Sequence, residues 1–275
     1  MSGLPIDLAL AYDSMPALLR GLMTTILITV VSLVCGLMLA FPLCFARMSE
    51  RPWLARAAET FVVFFRGTPV LILLYLVYYG FGQIKMLREG PLWLLFGSAF
   101  GCAIVAFSLN HAAYMVEVLR GSLLAVPAGL VEASEALGIS RRKVFLWVRM
   151  PLAIRYGLKA YQNEVVSFTK GTAIVSVVTI TDLTAVANGI FEQTYDPFTP
   201  ILSAAALYWA FINAIRLVFR FWGAYLNRHN EDGVAETTSL PTSTLERMTG
   251  AGFTTMTTTA DPATSASTGT GKEAA

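Results

Sequence analysis

Residues 21–46 carry no charged side chain and lie between Arg20 and Arg47. A helix needs roughly 20 apolar residues to cross the hydrocarbon core of a bilayer. This run is long enough, and it constrains the chain more than any other feature. Composition agrees with it: 55% of the 275 residues are hydrophobic and 14% are charged, against about a quarter charged in a typical soluble domain. The shortfall points to lipid as a solvent. A net charge of +2, with no Lys/Arg cluster of the kind that tracks phosphates outside one short loop, gives no support to a nucleic-acid binder.

Four further stretches are expected to span the bilayer. Residues 67–83 are uncharged, with Thr68 placed as an N-cap and Pro69 at the first helical position. Residues 90–116 and 197–215 are long apolar runs. Residues 152–178 are apolar overall but interrupted by Arg155, Lys159, Glu164 and Lys170. The expected fold class is therefore an all-α integral membrane protein with five transmembrane helices. Gly97 and Gly101 form a G-x-x-x-G pair compatible with close helix packing. Cys35, Cys44 and Cys102 lie in apolar runs without metal or redox spacing and read as small buried apolar residues.

Loop charge sets the orientation, because Lys and Arg favour the cytoplasmic side. Arg47, Arg51, Arg56 and Arg66 follow the first run, and Arg120, Arg141, Arg142, Lys143 and Arg149 follow the third. The second loop has only Lys85 and Arg88, and the fourth, 182–199, has no basic residue. Arg216, Arg220 and Arg228 follow the last run. One topology fits: N-terminus outside, C-terminus inside. Residues 1–20, with Asp7 and Asp13 and no basic start, do not resemble a cleavable signal peptide and are expected to be extracytoplasmic. Tyr75, Tyr78 and Tyr79 would then sit near the outer interface. Residues 230–275, rich in Ser and Thr, cannot bury enough surface to offset their chain entropy. They are expected to form a disordered cytoplasmic tail, regulatory or dispensable.

Five spans without an internal repeat suit a pore that a second subunit completes better than a self-contained secondary transporter. The cytoplasmic stretch 127–151 carries the strongest motif. Pro127 starts a short helix on which Leu130, Val131, Ser134 and Leu137 share a face. Gly138 is expected to end it in the left-handed conformation, and Ser140 to cap a second short helix. Pro151 is expected to stop that helix and to begin the next span. The result is a protruding knob with apolar and charged surface for a partner.

This stretch resembles the EAA loop of the membrane subunits of ATP-binding-cassette importers, whose pattern is E-A-A, three residues, G, nine residues, I-x-L-P. Glu132, Ala133, Gly138 and Pro151 match it in place, while Ser134 stands for the second Ala, Val148 for the Ile and Met150 for the Leu. The resemblance covers roughly residues 21–229 and implies the type I importer permease fold. It also implies that the loop couples to a cassette ATPase through Glu132, Ala133, Ser134, Gly138 and Pro151. The segments Phe65-Arg66-Gly67-Thr68-Pro69, 112–121, and Asn163-Glu164 ahead of Lys170-Gly171-Thr172 are similar to the polar amino-acid permeases. Residues 179–184 and 194–198 look most like those for histidine, lysine, arginine, ornithine and the opines.

The implied function is the permease subunit of an ATP-driven importer in the inner (cytoplasmic) membrane, carrying a basic amino acid or an opine. A permease for another polar amino acid is the alternative. The implied partners are a pair of cassette ATPase subunits, a second permease subunit (a copy or a paralogue), an extracytoplasmic solute-binding protein docking near Leu87 and Asp196, the solute and the bilayer. No cofactor is expected in this chain: ATP and Mg would be bound by the ATPase. The chain has no P-loop, and its only Gly-Lys pair, Gly271-Lys272, lacks the rest of that motif. No zinc-protease, serine-nucleophile or cysteine-nucleophile pattern marks it as an enzyme.

Ionisable residues within a span are costly and by default face the bundle interior or a water-filled path. Asn163, Ser167 and Lys170 share one helical face, with Glu164 at its edge. Two readings stand. The stripe lines a translocation path or gate, with Glu164 countering a cationic solute, or Lys170 snorkels outward while Glu164 pairs with Lys159 or Arg155. Asn110 and His111 read as helix-contact residues rather than ligands. An ion-coupled carrier with Glu164 and Lys170 as a relay is the competing function, but it would have no use for the knob.

Overall fold

The computed structural model describes residues 6–228, and among these every regular element is helical. The segment 230–275 expected to be a tail lies outside the described residues. Helix α1 (Leu8–Arg47) starts well ahead of the uncharged run. Asp7 caps it, its carboxylate accepting from the backbone N–H groups of Ala9 and Leu10 at 2.9 and 3.2 Å. At 40 residues and about 1.5 Å per residue, α1 is about twice as long as a bilayer core is thick.

Two opposite stripes run along α1. Met23, Leu27, Val30, Val34, Met38 and Phe41 recur every three or four residues and are exposed, as suits lipid-facing side chains. Gly21, Thr25, Ile28, Ser32, Gly36 and Ala40 recur likewise and are buried. The buried stripe is the smaller and more polar of the two, the membrane pattern in which close backbone approach holds helices together.

Helix α2 (Pro52–Gly67) occupies much of the first expected loop. It buries Ala58 and Val62 and leaves Trp53, Val63 and Phe64 exposed. Thr68 does not cap the next helix: its hydroxyl donates backward to the Phe64 carbonyl at 2.8 Å, ending α2, and Pro69 takes the cap position. Helix α3 (Val70–Tyr75) then leads into a π-helical turn, Leu76–Gly80, and a 3-10 turn, Phe81–Gln83. This segment makes a 104° bend with α2. Pro69 explains the break, since it cannot donate and disfavours helical geometry in the residue before it.

Short helices α4 (Lys85–Arg88) and α5 (Trp93–Phe96) precede α6 (Ala99–Leu124), which begins nine residues later than the expected 90 and ends eight later than 116. Ser98 caps α6 by accepting from the Gly101 N–H at 3.0 Å. Gly97 and Gly101 therefore face the turn ahead of α6, where an added Cβ would meet the carbonyls of Trp93 and Leu95, and they do not form a helix-pairing stripe. Helices α7 (Ala128–Ala136), α8 (Arg141–Val144) and α9 (Met150–Gly171) follow, then a 3-10 turn, Thr172–Val177. The fourth expected loop instead contains α10 (Leu183–Thr194), and α11 (Phe198–Asn227) closes the described chain.

Helices α1, α6 and α11 are each long and apolar enough to cross a membrane, and α2 with Val70–Gln83 qualifies as one bent span. Helix α9 fails that test because of its charged residues, as the interrupted run foreshadows. Burial on α9 comes from packing against α6 and α11. The core has three clusters, and α1 enters each: Leu18 meets Leu183 and Ala187, Ile28 meets Phe107 and Phe168, and Ala40 with Cys44 meets Met115 and Ala153. Cys44 and Cys102 are buried as expected, but Cys35 lies on the exposed side of α1.

The non-helical stretch 178–182 needs hydrogen bonds that lipid cannot give. The Thr25 hydroxyl accepts from the Leu183 N–H at 3.2 Å, and the buried Asp182 carboxylate accepts from Ala185 and Thr184. At the other end, Thr199 accepts from the Asp7 N–H at 2.9 Å, joining the start of α1 to that of α11. In the exposed turn between α10 and α11, hydrogen bonds from Thr199 and Phe198 hold the Asp196 carboxyl below the usual carboxylate range.

At Gly36 the α1–α6 contact has no spare room: an added Cβ would lie 2.8 Å from His111 Cδ2 and 2.9 Å from the Ser108 carbonyl. A backbone oxygen cannot swing aside. Gly36→Val should cost about 1–3 kcal/mol and lower the melting temperature of the purified protein, whereas Gly67→Ala, with open space around it, should leave it near wild type.

Candidate functional site

Two places gather the residues singled out by sequence, and they lie at opposite ends of α9. The first is the projection 127–151. Helix α7 ends where the Leu137 N–H bonds to the Ala133 carbonyl, the Gly138 N–H to Glu135 and the Ile139 N–H to Ser134. Gly138 has φ of 79°, the left-handed region in which a Cβ is strained. Nothing lies within 4 Å of the position its Cβ would take, so the glycine serves the backbone turn and not a tight contact.

Glu132 and Ala133 are exposed, and Ser134, half-buried, donates to the Leu130 carbonyl at 2.7 Å. Val131 and Phe145 pack against the core and Val144 is buried, while Leu137 and Trp147 are left 81% and 77% exposed. Such large apolar groups, bare on a charged projection, form a surface fit for a partner. Glu135 and Arg141 bridge the elbow at 3.5 Å.

Two local expectations change here. Ser140 occupies the cap position of α8 but its side chain makes no capping bond. Pro151 does not stop a helix: α8 runs through a π-helical turn, Phe145–Arg149, directly into α9, with Pro151 in its first turn. The wide turn is the physical accommodation, since proline lacks the N–H that a regular helix would use and would crowd the carbonyl four residues back. The Arg149 guanidinium secures this junction by donating to the Leu123 carbonyl at the end of α6.

The second place is a cavity of about 450 Å³ between the α2–α3 elbow, α6 and α9. Its walls include Arg66, Thr68, Asn110, Tyr114, Glu164 and Ser167. Of the stripe read from sequence, Glu164 and Ser167 line this space. Asn163 and Lys170 lie on the exposed side of α9 and do not. Glu164 makes no ion pair with Lys159; its carboxylate approaches His111 Nδ1 at 3.8 Å instead.

The elbow is held in place by Asn110, whose amide donates to the Phe65 carbonyl at 2.9 Å, so this residue is the helix contact expected of it. Arg66 lies over the Tyr114 ring, 5.1 Å from its centroid, an arrangement that stabilises a guanidinium without neutralising it. No ion pair joins Arg66 to Glu164. The cavity thus presents a cation on one wall and a carboxylate on another. Among the described residues no group of three or more His, Cys, Asp or Glu side chains is arranged to hold a metal.

Arg66 and Tyr114 were not among the site residues read from sequence, although both sit in the quoted motifs. The missing signal was geometric. Only the bend at Thr68-Pro69 turns Arg66 from a loop charge into a wall of the cavity.

The family described as "Binding-protein-dependent transport system inner membrane component" matches residues 32–229. The octopine transport system permease protein of Rhizobium meliloti is 39% identical over 205 residues, covering 74% of this chain and 84% of the relative. The arginine ABC transporter permease protein of Haemophilus influenzae is 34% identical over 208 residues, covering 76% and 91%. A crystal structure of an amino acid ABC transporter with histidines superposes with a TM-score of 0.70 at 28% identity, covering 80% of this chain and 99% of that one. The chain belongs to the family of inner-membrane components of binding-protein-dependent transport systems.

Proposed function

We propose that this chain is the permease subunit of an ATP-driven importer of basic amino acids or opines, and that the cavity at the α2–α3 elbow holds the solute in transit. The observation that carries this reading is the opposed charge of the cavity walls. An amino acid brings a carboxylate, which suits the Arg66 guanidinium, and at least one cationic group, which suits Glu164. In the low-dielectric surroundings of a membrane such pairings are far stronger than in water. The octopine and arginine permeases among its relatives support the cationic class.

Five spans follow on this reading: α1, the bent pair α2 with Val70–Gln83, α6, α9 with its following 3-10 turn, and α11. The distribution of Lys and Arg supports an outer N-terminus and an inner C-terminus. Residues 21–229 form the permease domain, residues 1–20 its outer end and 230–275 a cytoplasmic tail. The exposed stripe Asn163, Ser167 and Lys170 faces a second permease subunit, a copy or a paralogue, across a shared path. The bare apolar groups of the projection dock in a pair of cassette ATPase subunits. ATP and Mg are bound there and not in this chain. A solute-binding protein delivers cargo to the outer loops near Leu87 and Asp196.

Two experiments test the two halves of the proposal. Glu164→Gln should weaken uptake of L-arginine at least tenfold, about 1.4 kcal/mol, while a neutral amino acid, if carried, loses much less. Equal loss of both would mean that Glu164 has a structural role only. Gly138→Trp should insert and assemble normally, because its Cβ position is open, yet lose ATP-dependent uptake by straining the elbow. Full uptake by that variant would remove the coupling role from the projection.

A further inference from the structure

His111 is fully buried behind Glu164 of the cavity wall: its side chain is 0% exposed, and neither Nδ1 nor Nε2 has a hydrogen-bond partner among the described residues. An imidazole with both nitrogens unpaired is costly to keep out of water. Its surroundings leave it no way out. Gly36 of α1 lies flat against one side, close enough that a Cβ would sit 2.8 Å from Cδ2, and the Phe168 ring stands 5.0 Å from the imidazole centroid on another. Among the described residues the acidic or basic group that reaches the ring is Glu164, its Oε1 3.8 Å from Nδ1.

That distance is too long for a hydrogen bond and short enough to become one by a shift of the carboxylate alone. Glu164 also lines the cavity, so its carboxylate stands between a pinned imidazole behind and the solute space in front. We propose that His111 is a positioning residue for Glu164. An Nδ1–H donated to one carboxylate oxygen fixes the side chain and leaves the other oxygen presented to the solute's cation. Pre-orienting a charged group in this way raises affinity by removing the cost of ordering it on binding. The packing explains why a histidine can do this: a longer, more mobile donor would not be held against Gly36 and Phe168.

This inference rests on the reading of the cavity as a solute site. The test is the Kd for labelled L-arginine on the intact permease–ATPase complex without its binding protein, together with kcat for ATP-driven uptake in vesicles at saturating solute. His111→Leu keeps about the bulk of the imidazole but removes both nitrogens, whereas His111→Asn is smaller yet its amide nitrogen falls near the place of Nδ1. His111→Leu should raise Kd about tenfold at unchanged kcat, and His111→Asn should stay within about threefold of wild type. In a Glu164→Gln background, His111→Leu should add no further change.

Equal weakening by Asn and Leu, an effect on kcat alone, no effect of Leu, or an undiminished effect in the Glu164→Gln background would each overturn the proposal. Should the leucine variant fail to assemble, His111→Gln replaces it. Its amide nitrogen falls near Nε2, so Gln should weaken binding where Asn does not, and equal behaviour of the two would overturn the proposal. If Glu164→Gln itself leaves Kd unchanged, the solute-site reading fails and takes this one with it. If Glu164→Gln raises Kd and His111→Leu does not, only the role of His111 is lost.

Discussion

Close approach between the small-residue stripe of α1 and its neighbours is the contact on which the remaining architecture depends. In lipid, apolar side chains gain little by leaving the solvent, so helices associate through van der Waals contact and hydrogen bonds at short range. Gly36 lets α1 reach α6, and Gly21 lets it reach the start of α10, where a Cβ would lie 2.9 Å from the Asp182 carbonyl. Thr25 adds a hydrogen bond to the Leu183 N–H at the same crossing. Because α1 enters all three clusters of the core, these contacts also position the wall of α6 from which Asn110, His111 and Tyr114 extend.

The polar character of α9 follows from its place in that frame. A helix packed on both α6 and α11 has one side that sees neither lipid nor water, and there it carries Val165, Val166, Phe168 and Thr169. Its charged and polar residues fall elsewhere: Glu164 toward the elbow cavity, Lys170 and Asn163 on the exposed side. Ion pairing at the far end of the bundle is of a different kind. Arg47 bridges Glu59 and Glu117, and Glu117 also holds Arg120 at 2.8 Å, tying α1, α2 and α6 together where the first apolar run ends.

The sequence was most legible where composition or spacing acts locally. The uncharged run of α1, the left-handed glycine at 138 and the polar interruption of the fourth run each follow from chemistry within a few residues. Spacing also put Glu164 at the edge of the face shared by Asn163, Ser167 and Lys170, but did not show that Glu164 and Ser167 alone of the four would line the cavity. What stayed hidden depends on tertiary geometry. Thr68 and Ser140 have cap-forming side chains, yet Thr68 donates back into α2 and Ser140 caps nothing. Gly97 and Gly101 have pairing spacing but lie at a turn. Arg66 reads as an ordinary loop cation until the 104° bend makes it a wall of the cavity that Glu164 also lines.

Because the π-helical turn before Pro151 leaves the helical path unbroken from Arg141 to Gly171, the elbow and the cavity share a single stiff member. Some 23 residues separate Arg141 from Glu164, a shaft of about 35 Å. Beyond the π-turn at Phe145–Arg149, the shaft is regular α-helix up to Glu164. A rigid rod of this length would turn a small tilt at one end into a translation of the carboxylate at the other, and the π-turn is where such a rod would bend.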